Sequence, residues 1–385
     1  MGNTKEKDLI NILYVSSFGW LRGGGQISLW NLLTRLDRNK FNPILICPEQ
    51  GDLLLSCKKI SIATEVIVFP NLRLWNLAPA LVSLAKLLEI LKRYEIDIVH
   101  ADDLRQVIYF GILKLFYRFR LIWHIRISWK NIFLDTIGFY LSKKIICTAK
   151  IIADKFQHLP KFREKVMVIY NAVDYDYFRP AEPNSGLKEQ YNIDSQDFVI
   201  GTVCRLHPVK GIHLLVDAFV DINKSLEDTK LIIVGDGSEK YKQDLEKRIE
   251  DLGIGNSVVF AGFQKDVRPF LSIMDFFILP TLEKEGSSRS ILEAMACGIP
   301  VLTTDIGGNS ELVENGITGT IIPKPKPAII AKETIRLLRQ KEQLVKMGRE
   351  GRKRVIEKFG ISGNVRLTED IYISLSLKRQ EKQIF

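Results

Sequence analysis

Short apolar runs alternate with longer amphipathic stretches along nearly the whole chain. Ile10 to Ser16, Pro43 to Cys47, Ile96 to His100 and Leu121 to Ile125 are apolar segments of strand length. Val199 to Val203, Leu231 to Val234, Val258 to Ala261 and Phe276 to Pro280 repeat the pattern further on. Runs this short, bounded by turn residues, suit buried strands. Between them lie helical patterns such as Gln26 to Leu36 and Ile212 to Val220. Strands that alternate with helices predict parallel sheets joined by right-handed crossovers. The plan of strand, loop and helix starts at residue 10 and starts again near residue 199. The expected fold class is therefore α/β, with two doubly wound, Rossmann-like domains. A chain of 385 residues is too long for one ordinary core, which agrees with that division. In such sheets ligands bind beyond the carboxyl ends of the strands, and the two sets of ends are expected to face each other across a cleft.

One junction concentrates the candidate chemistry. After the predicted strand Phe276 to Pro280 comes the string Glu285-Gly286-Ser287-Ser288-Arg-Ser-Ile-Leu-Glu293-Ala-Met-Ala-Cys-Gly-Ile-Pro300. It predicts a helix from about Ser288 to Cys297, stopped by Gly298 and Pro300. The unpaired amides and positive dipole end of its first turn suit a phosphate. Glu285 lies outside the helix and Glu293 inside it, so two carboxylates would approach one ligand from different directions. Other readings stand beside this one. Ser290 and Glu293 have the spacing of a capping box, and Glu285 alone reads as a solvated loop charge.

Other chemistry-bearing residues sit at predicted strand ends. Arg205 and Lys210 lie five positions apart on the loop after Val199 to Val203, a planar fork and a compact charge together. Gly235 and Gly237 follow the strand Leu231 to Val234, where a plain tight turn is an equal reading. Gly23, Gly24 and Gly25 form a glycine loop after the first strand, and glycine there can be conformational only. His100 and His124 each close a strand; a histidine so placed reaches a ligand or is simply structural. Asp102 follows the first of them. Asp174-Tyr175-Asp176 is formally a metal-binding D-x-D, but no strand end leads into it, and it reads as structural.

The string from Glu285 to Pro300 closely resembles the E-x7-E segment of the retaining glycosyltransferases of family 4. Gly201-Thr-Val-Cys-Arg205-Leu-His-Pro-Val-Lys210-Gly211 is similar to that family's Gly-Arg-Leu-x-x-x-Lys-Gly motif, with Cys204 where glycine is usual. Tyr170 to Pro180 resembles its hinge. The resemblance implies a GT-B fold divided into residues 1–170, a hinge 171–183 and a donor domain 184–362, with a C-terminal helix 363–385 packing back on the first domain. It implies retaining transfer of a sugar from a nucleotide diphosphate sugar, with the leaving phosphate helping to take the acceptor's proton. Glu285, His124, Arg205 and Lys210 are the expected catalytic residues. Glu293 would meet the ribose, and Gly24, Gly25, Gly235, Gly237, Gly286, Ser287 and Ser288 would line the donor. His100 and Asp102 would face the acceptor. No cofactor and no metal are expected, because the two cations already supply the positive charge a metal would bring.

Composition adds a direction. The net charge is +10, and residues 1–170 carry 25 basic against 14 acidic side chains, while the rest carries 30 against 31. Between Leu104 and Leu134 there is no acid. There Arg105, Lys114, Arg118, Arg120, Arg126 and Lys130 interleave with Tyr109, Phe110, Phe116, Tyr117, Phe119, Trp123, Trp129 and Phe133. That pattern suits an anionic lipid surface. An ordinary buried helix and strand with a basic edge would look the same, and no motif supports nucleic acid. Five scattered cysteines argue for a reducing compartment, and neither a leader nor a membrane span is read. The expected setting is cytoplasmic, peripheral on the inner face of the membrane, with a lipid-linked glycan as acceptor. A GT-B epimerase acting on a nucleotide sugar, or an inactive membrane-associated scaffold, would share the fold.

Overall fold

The structure is a computed structural model that describes residues 9–127, 130–283 and 285–380. These form two compact units, with the chain passing from one to the other at Tyr170/Asn171 and back at Ile361/Ser362.

The first unit holds seven strands: β1 (Ile10–Val15), β2 (Phe41–Cys47), β3 (Ala63–Val66), β4 (Ile98–Ala101), β5 (Arg120–Ile125), β6 (Lys144–Cys147) and β7 (Val166–Val168). Their order is β3-β2-β1-β4-β5-β6-β7, and every neighbouring pair is parallel. The second unit holds β8 (Phe198–Val203), β9 (Thr229–Val234), β10 (Val258–Gly262), β11 (Phe276–Leu279), β12 (Val301–Thr304) and β13 (Gly319–Ile322) in the order β10-β9-β8-β11-β12-β13, again all parallel. The strands are near-continuous apolar runs because helices cover both faces. Leu13, Val99, Phe110, Trp123, Phe139 and Phe156 fill the first core, and Ile200, Phe219, Ile233, Phe276 and Leu302 the second.

Each sheet reverses its winding once, between β1 and β4 and between β8 and β11. At such a point topology sends the loops of the two strands to opposite faces of the sheet, and ligands bind beside them.

Several local details differ from the sequence expectation. Gly24 and Gly25 are not a loop: they open the helix Gly24–Arg35, with extended Gly23 as its N-cap. Glycine costs little in a first turn, and a Cβ on Gly25 would stand 3.1 Å from Cδ of Arg126, close enough that the arginine side chain would have to give. The closing helix runs Ile361–Gln380, longer at its start than the pattern suggested; residues 381–385 lie outside the described ones. It is bound into the first unit by Glu369, which accepts the Asp37 amide at 2.8 Å, and by Asn364, which donates to the Tyr170 carbonyl at 2.7 Å. Asp174 caps a turn, accepting the amides of Asp176 and Tyr177 at 3.2 and 3.1 Å.

The basic and aromatic segment is sorted by the fold into two sets. Tyr109, Phe110, Phe119 and Trp123 are core residues, so for them the ordinary buried reading holds. Lys114 donates to the Leu141 carbonyl and Arg105 to that of Phe69. Leu115, Phe116, Ile132 and Phe133 remain exposed, Phe116 by 64% and Phe133 by 73%. Trp129 lies outside the described residues.

Candidate active site

In the second unit the two loops at the sheet's reversal are bonded to each other. The loop after β8 makes a tight turn at Pro208–Lys210 and enters the helix Ile212–Ser225 through Gly211. Gly211 has φ +70°, and a Cβ there would lie 2.1 Å from the Pro280 carbonyl oxygen. The next residue but one after Pro280 completes the seam: the Leu282 amide donates to the Val209 carbonyl at 2.8 Å. This approach brings Lys210 against Glu285, and the ammonium pairs with the carboxylate, the two side chains only 19% and 14% exposed. Glu285 is held from behind as well. Gly307, at φ +61°, lets its backbone come so close that a Cβ would meet the Glu285 carbonyl at 2.0 Å. Arg205 is exposed and makes no ion pair among the described residues.

The helix after Glu285 spans Arg289–Ala296, with Ser288 as N-cap and no side chain closing its end. Its first amides therefore lack an intrahelical acceptor. Around them stand buried polar atoms with no partner among the described residues: Ser287 Oγ, Asn309 Nδ2 and Arg289 Nη1. The Ser288 amide is taken by Asn309 Oδ1 at 3.2 Å, and Asn171 donates to the Ser287 carbonyl.

The capping box that Ser290 and Glu293 could have made does not form. Ser290 already lies inside the first turn, and its hydroxyl faces Ser288 Oγ at 3.2 Å. Glu293 instead accepts from Arg289 Nη2 at 2.9 Å, in a pair whose side chains are 8% and 12% exposed. Burial pushes the Glu293 carboxyl up, and the Arg289 cation pulls against it. Arg289 was not among the expected site residues. Its signal was present all the same, since it stands four residues before Glu293 on one helix face.

Gly235 and Gly237 have a local task. At Gly235, φ is +135° and a Cβ would fall 1.8 Å from the Cys204 carbonyl; at Gly237 it would fall 2.0 Å from that of Leu206. The turn after β9 thus lies backbone to backbone on the loop that carries Arg205, with the Leu206 amide donating to Asp236 at 2.9 Å.

In the first unit, β4 and β5 place His100 beside His124. His100 is 3% exposed, with Nδ1 2.6 Å from the Tyr372 hydroxyl and Nε2 3.0 Å from His124 Nδ1. Both ring nitrogens are occupied, so His100 supports His124 and has none left for an acceptor. His124 keeps Nε2 without a partner among the described residues. Burial, helped by the Arg126 cation, lowers the His100 pKa to about 3 and holds His124 well below the ordinary value. Asp102 pairs with Arg126 Nε at 3.2 Å. Burial raises its carboxyl while Arg126 lowers it.

Two family descriptions match the chain. Residues 22–177 match the family described as Glycosyltransferase Family 4, and residues 185–354 match Glycosyl transferases group 1. The chain belongs to the family 4 glycosyltransferases. This glycosyltransferase is 26% identical to the Escherichia coli UDP-Gal:alpha-D-GlcNAc-diphosphoundecaprenol alpha-1,3-galactosyltransferase, an alignment covering 96% of this chain and 98% of that one. To the Bacillus anthracis N-acetyl-alpha-D-glucosaminyl L-malate synthase it is 30% identical, over 62% of this chain and 61% of the relative, less than two thirds of its length. Among solved structures, Anabaena HepE, crystallised in complex with UDP, superposes with a TM-score of 0.82 at 22% identity, over 95% of this chain and 100% of that one. That likeness shows the GT-B fold of the glycosyltransferase.

The histidines make stability depend on acid. An unfolded histidine titrates near about 6.5, whereas folded His100 titrates at about 3. Below the first value the unfolded chain takes up protons that the fold refuses, so stability is whole above it and falls as pH drops toward the second. Asp102 and Glu293, raised by burial, act in the opposite sense but are common to any His100 variant. The urea midpoint of the wild type is expected to fall more between pH 7 and pH 5 than that of His100→Gln. Equal losses would show that His100 does not carry the effect.

Proposed function

We propose that this glycosyltransferase moves a sugar from a nucleotide diphosphate sugar to a hydroxyl of a glycan acceptor, with retention at the anomeric carbon. The observation that carries the reading is the Lys210 and Glu285 pair beside the unclosed helix start and its buried, unpartnered Ser287, Arg289 and Asn309 groups. A diphosphate would take Lys210, Arg205 and the first amides of the helix Arg289–Ala296, and these donors strengthen their hold as charge grows on the departing phosphate. Gly286, Ser287 and Ser288 provide the backbone of that cradle. Glu285, standing against Lys210, accepts from hydroxyls of the transferred sugar. Glu293 has one oxygen tied to Arg289, and the other accepts from the ribose. Gly235 and Gly237 support the loop of Arg205 and border the nucleotide. In the first unit, Gly24 and Gly25 offer amides at the head of their helix, His124 meets the sugar, and Asp102 with Arg126 borders the acceptor. Proton transfer runs through the leaving phosphate on the same face of the sugar. Arg205 and Lys210 supply the positive charge, so no metal is invoked.

The acceptor proposed is a lipid-linked glycan, in polysaccharide, O-antigen or lipopolysaccharide assembly. The Escherichia coli relative, named for an acceptor carried on diphosphoundecaprenol, supports it. So do the excess of basic side chains in residues 1–170 and the exposed Leu115, Phe116, Ile132 and Phe133. Among the described residues no helix is long and apolar enough to cross a membrane. The proposed setting is therefore peripheral attachment to the anionic inner face of the cytoplasmic membrane.

Two experiments test these readings. In a thermal-shift panel of nucleotide sugars, one donor present at a hundred times its Kd should stabilise the fold by about 2.7 kcal/mol. Lys210→Ala should then lower kcat for that donor by about 100-fold or more while keeping the fold. A panel without any shift, or full turnover by Lys210→Ala, sinks the donor reading. In vesicle sedimentation the protein should prefer anionic over neutral lipid, and Phe116→Ser with Phe133→Ser should lose most of that binding. Equal sedimentation on both lipids counts against the membrane reading.

A further inference from the structure

We propose that Tyr372, on the last helix of the chain, determines which ring nitrogen of His124 carries the proton, acting through His100. The functional consequence rests on His124 meeting the sugar; the proton arrangement itself does not.

Three elements far apart in sequence supply the parts. His100 comes from β4, His124 from β5 and Tyr372 from the helix Ile361–Gln380, with 272 positions between His100 and Tyr372. Their polar atoms form one line, whose Tyr372 end is also coupled to the Tyr14 side chain. The Tyr372 hydroxyl is 2.6 Å from His100 Nδ1, and His100 Nε2 is 3.0 Å from His124 Nδ1. The line ends at His124 Nε2, a buried atom with no partner among the described residues. Aromatic rings hold the members in place: Tyr14 stands 5.5 Å from the His100 ring, and Phe41 and Tyr14 stand 5.6 and 6.2 Å from Tyr372.

A neutral imidazole has one nitrogen that donates and one that accepts. Burial and the Arg126 cation keep both histidines neutral. Only two proton arrangements then satisfy both contacts. In one, Tyr372 donates to His100 Nδ1, His100 Nε2–H donates to His124 Nδ1, and His124 presents Nε2–H. In the other every donor is reversed, and His124 presents a bare Nε2. The chemistry of the first contact favours the first arrangement. A phenol hydroxyl is a stronger acid than a neutral imidazole N–H, and an imidazole nitrogen is a stronger base than a phenol oxygen, so the 2.6 Å contact runs from O–H to N. Tyr372 is therefore the donor, and His124 faces its ligand as a neutral N–H.

The chemistry that follows is specific. His124 can donate to a hydroxyl or phosphate oxygen, and with Nδ1 already accepting from His100 it has no free lone pair with which to take a proton. It is a hydrogen-bond donor and not a general base. Tyr372 never touches a ligand in this scheme and is a positioning residue.

Ring nitrogen NMR of the full-length protein labelled with 15N-histidine tests the proposal. The wild type should show both His100 and His124 protonated at Nε2, with both Nδ1 atoms bare. Tyr372→Phe removes one oxygen and keeps the ring; it should shift the His124 nitrogens toward an average of the two tautomers. A wild-type His124 protonated at Nδ1 overturns the proposal, and this arm does not depend on the variant's folding. Tyr372→Phe spectra with unchanged nitrogens for both histidines overturn it too. Turnover by His124→Ala separates the two layers. A tautomer shift in Tyr372→Phe beside unimpaired transfer by His124→Ala keeps the relay and removes the sugar contact. Loss of transfer in His124→Ala beside a wild-type Nδ1–H keeps the sugar contact and removes the relay.

Discussion

The reversal of strand order between β8 and β11 is the constraint on which the candidate site of the second unit depends. A parallel sheet that winds outward in both directions from two adjacent strands must send their loops apart, and a crevice follows from topology alone. What topology leaves open is the distance between the loops. One backbone approach closes it, Gly211 to the Pro280 carbonyl, while Gly235 to that of Cys204 and Gly307 to that of Glu285 brace each loop against its other neighbour. Each of these three glycines has a positive φ and a close carbonyl neighbour, so each is doubly constrained. Lys210 and Glu285 meet because these carbonyls can come so near. Cation and carboxylate are thus positioned by main-chain packing, which is stiffer than any side-chain contact would be.

Two buried ion pairs stand apart from that frame. Arg289 with Glu293 and Arg126 with Asp102 are both largely withdrawn from water, and in both the carboxyl is raised by burial and lowered by its arginine. Desolvating two ions costs about what their attraction returns, so such pairs are poor stabilisers. Apolar side chains of the same volume often hold such segments at least as well. Their presence at the carboxyl ends of the sheets is better explained by what they leave available. Glu293 spends one oxygen on Arg289 and keeps the other, and Arg289 keeps Nη1. In the proposed site, a ligand that brings hydroxyls and phosphates would complete what the protein leaves unsatisfied.

The sequence was most legible where a physical signal is local. Apolar runs located the strands, and glycine with proline located the end of the helix Arg289–Ala296. Helix starts were less legible, because Gly24 and Gly25 carry a loop signature and yet sit in a first turn where their cost is small. The aromatic segment from Leu104 to Leu134 was ambiguous for a plain reason. Composition cannot say which side of a helix faces the sheet, and Tyr109 and Phe110 turn inward where Phe116 stays outside. The partners of His100 and Asp102 were illegible altogether. Tyr372 is on the far side of an intervening unit, and Arg126 reaches Asp102 only because β5 pairs with β4. Arg289 was overlooked since a capping box offered Glu293 a nearer partner.

The neutral state of His124 bears on which groups can move protons. A general base works best with a pKa close to the working pH, and burial together with Arg126 drives both histidines far from it. Glu285 is engaged by Lys210, and Asp102 by Arg126. Each strong base among these site residues is therefore already paired or held neutral. In the proposed transfer that leaves the departing phosphate as the group whose basicity rises during the reaction. Arg205, Lys210 and the helix amides must then be balanced: strong enough to draw the diphosphate away, yet not so strong that its oxygens can no longer accept the acceptor's proton. An exposed Arg205 beside a shared Lys210 is a softer cradle than two dedicated buried cations would make, and that softness is what a phosphate acting as a base requires.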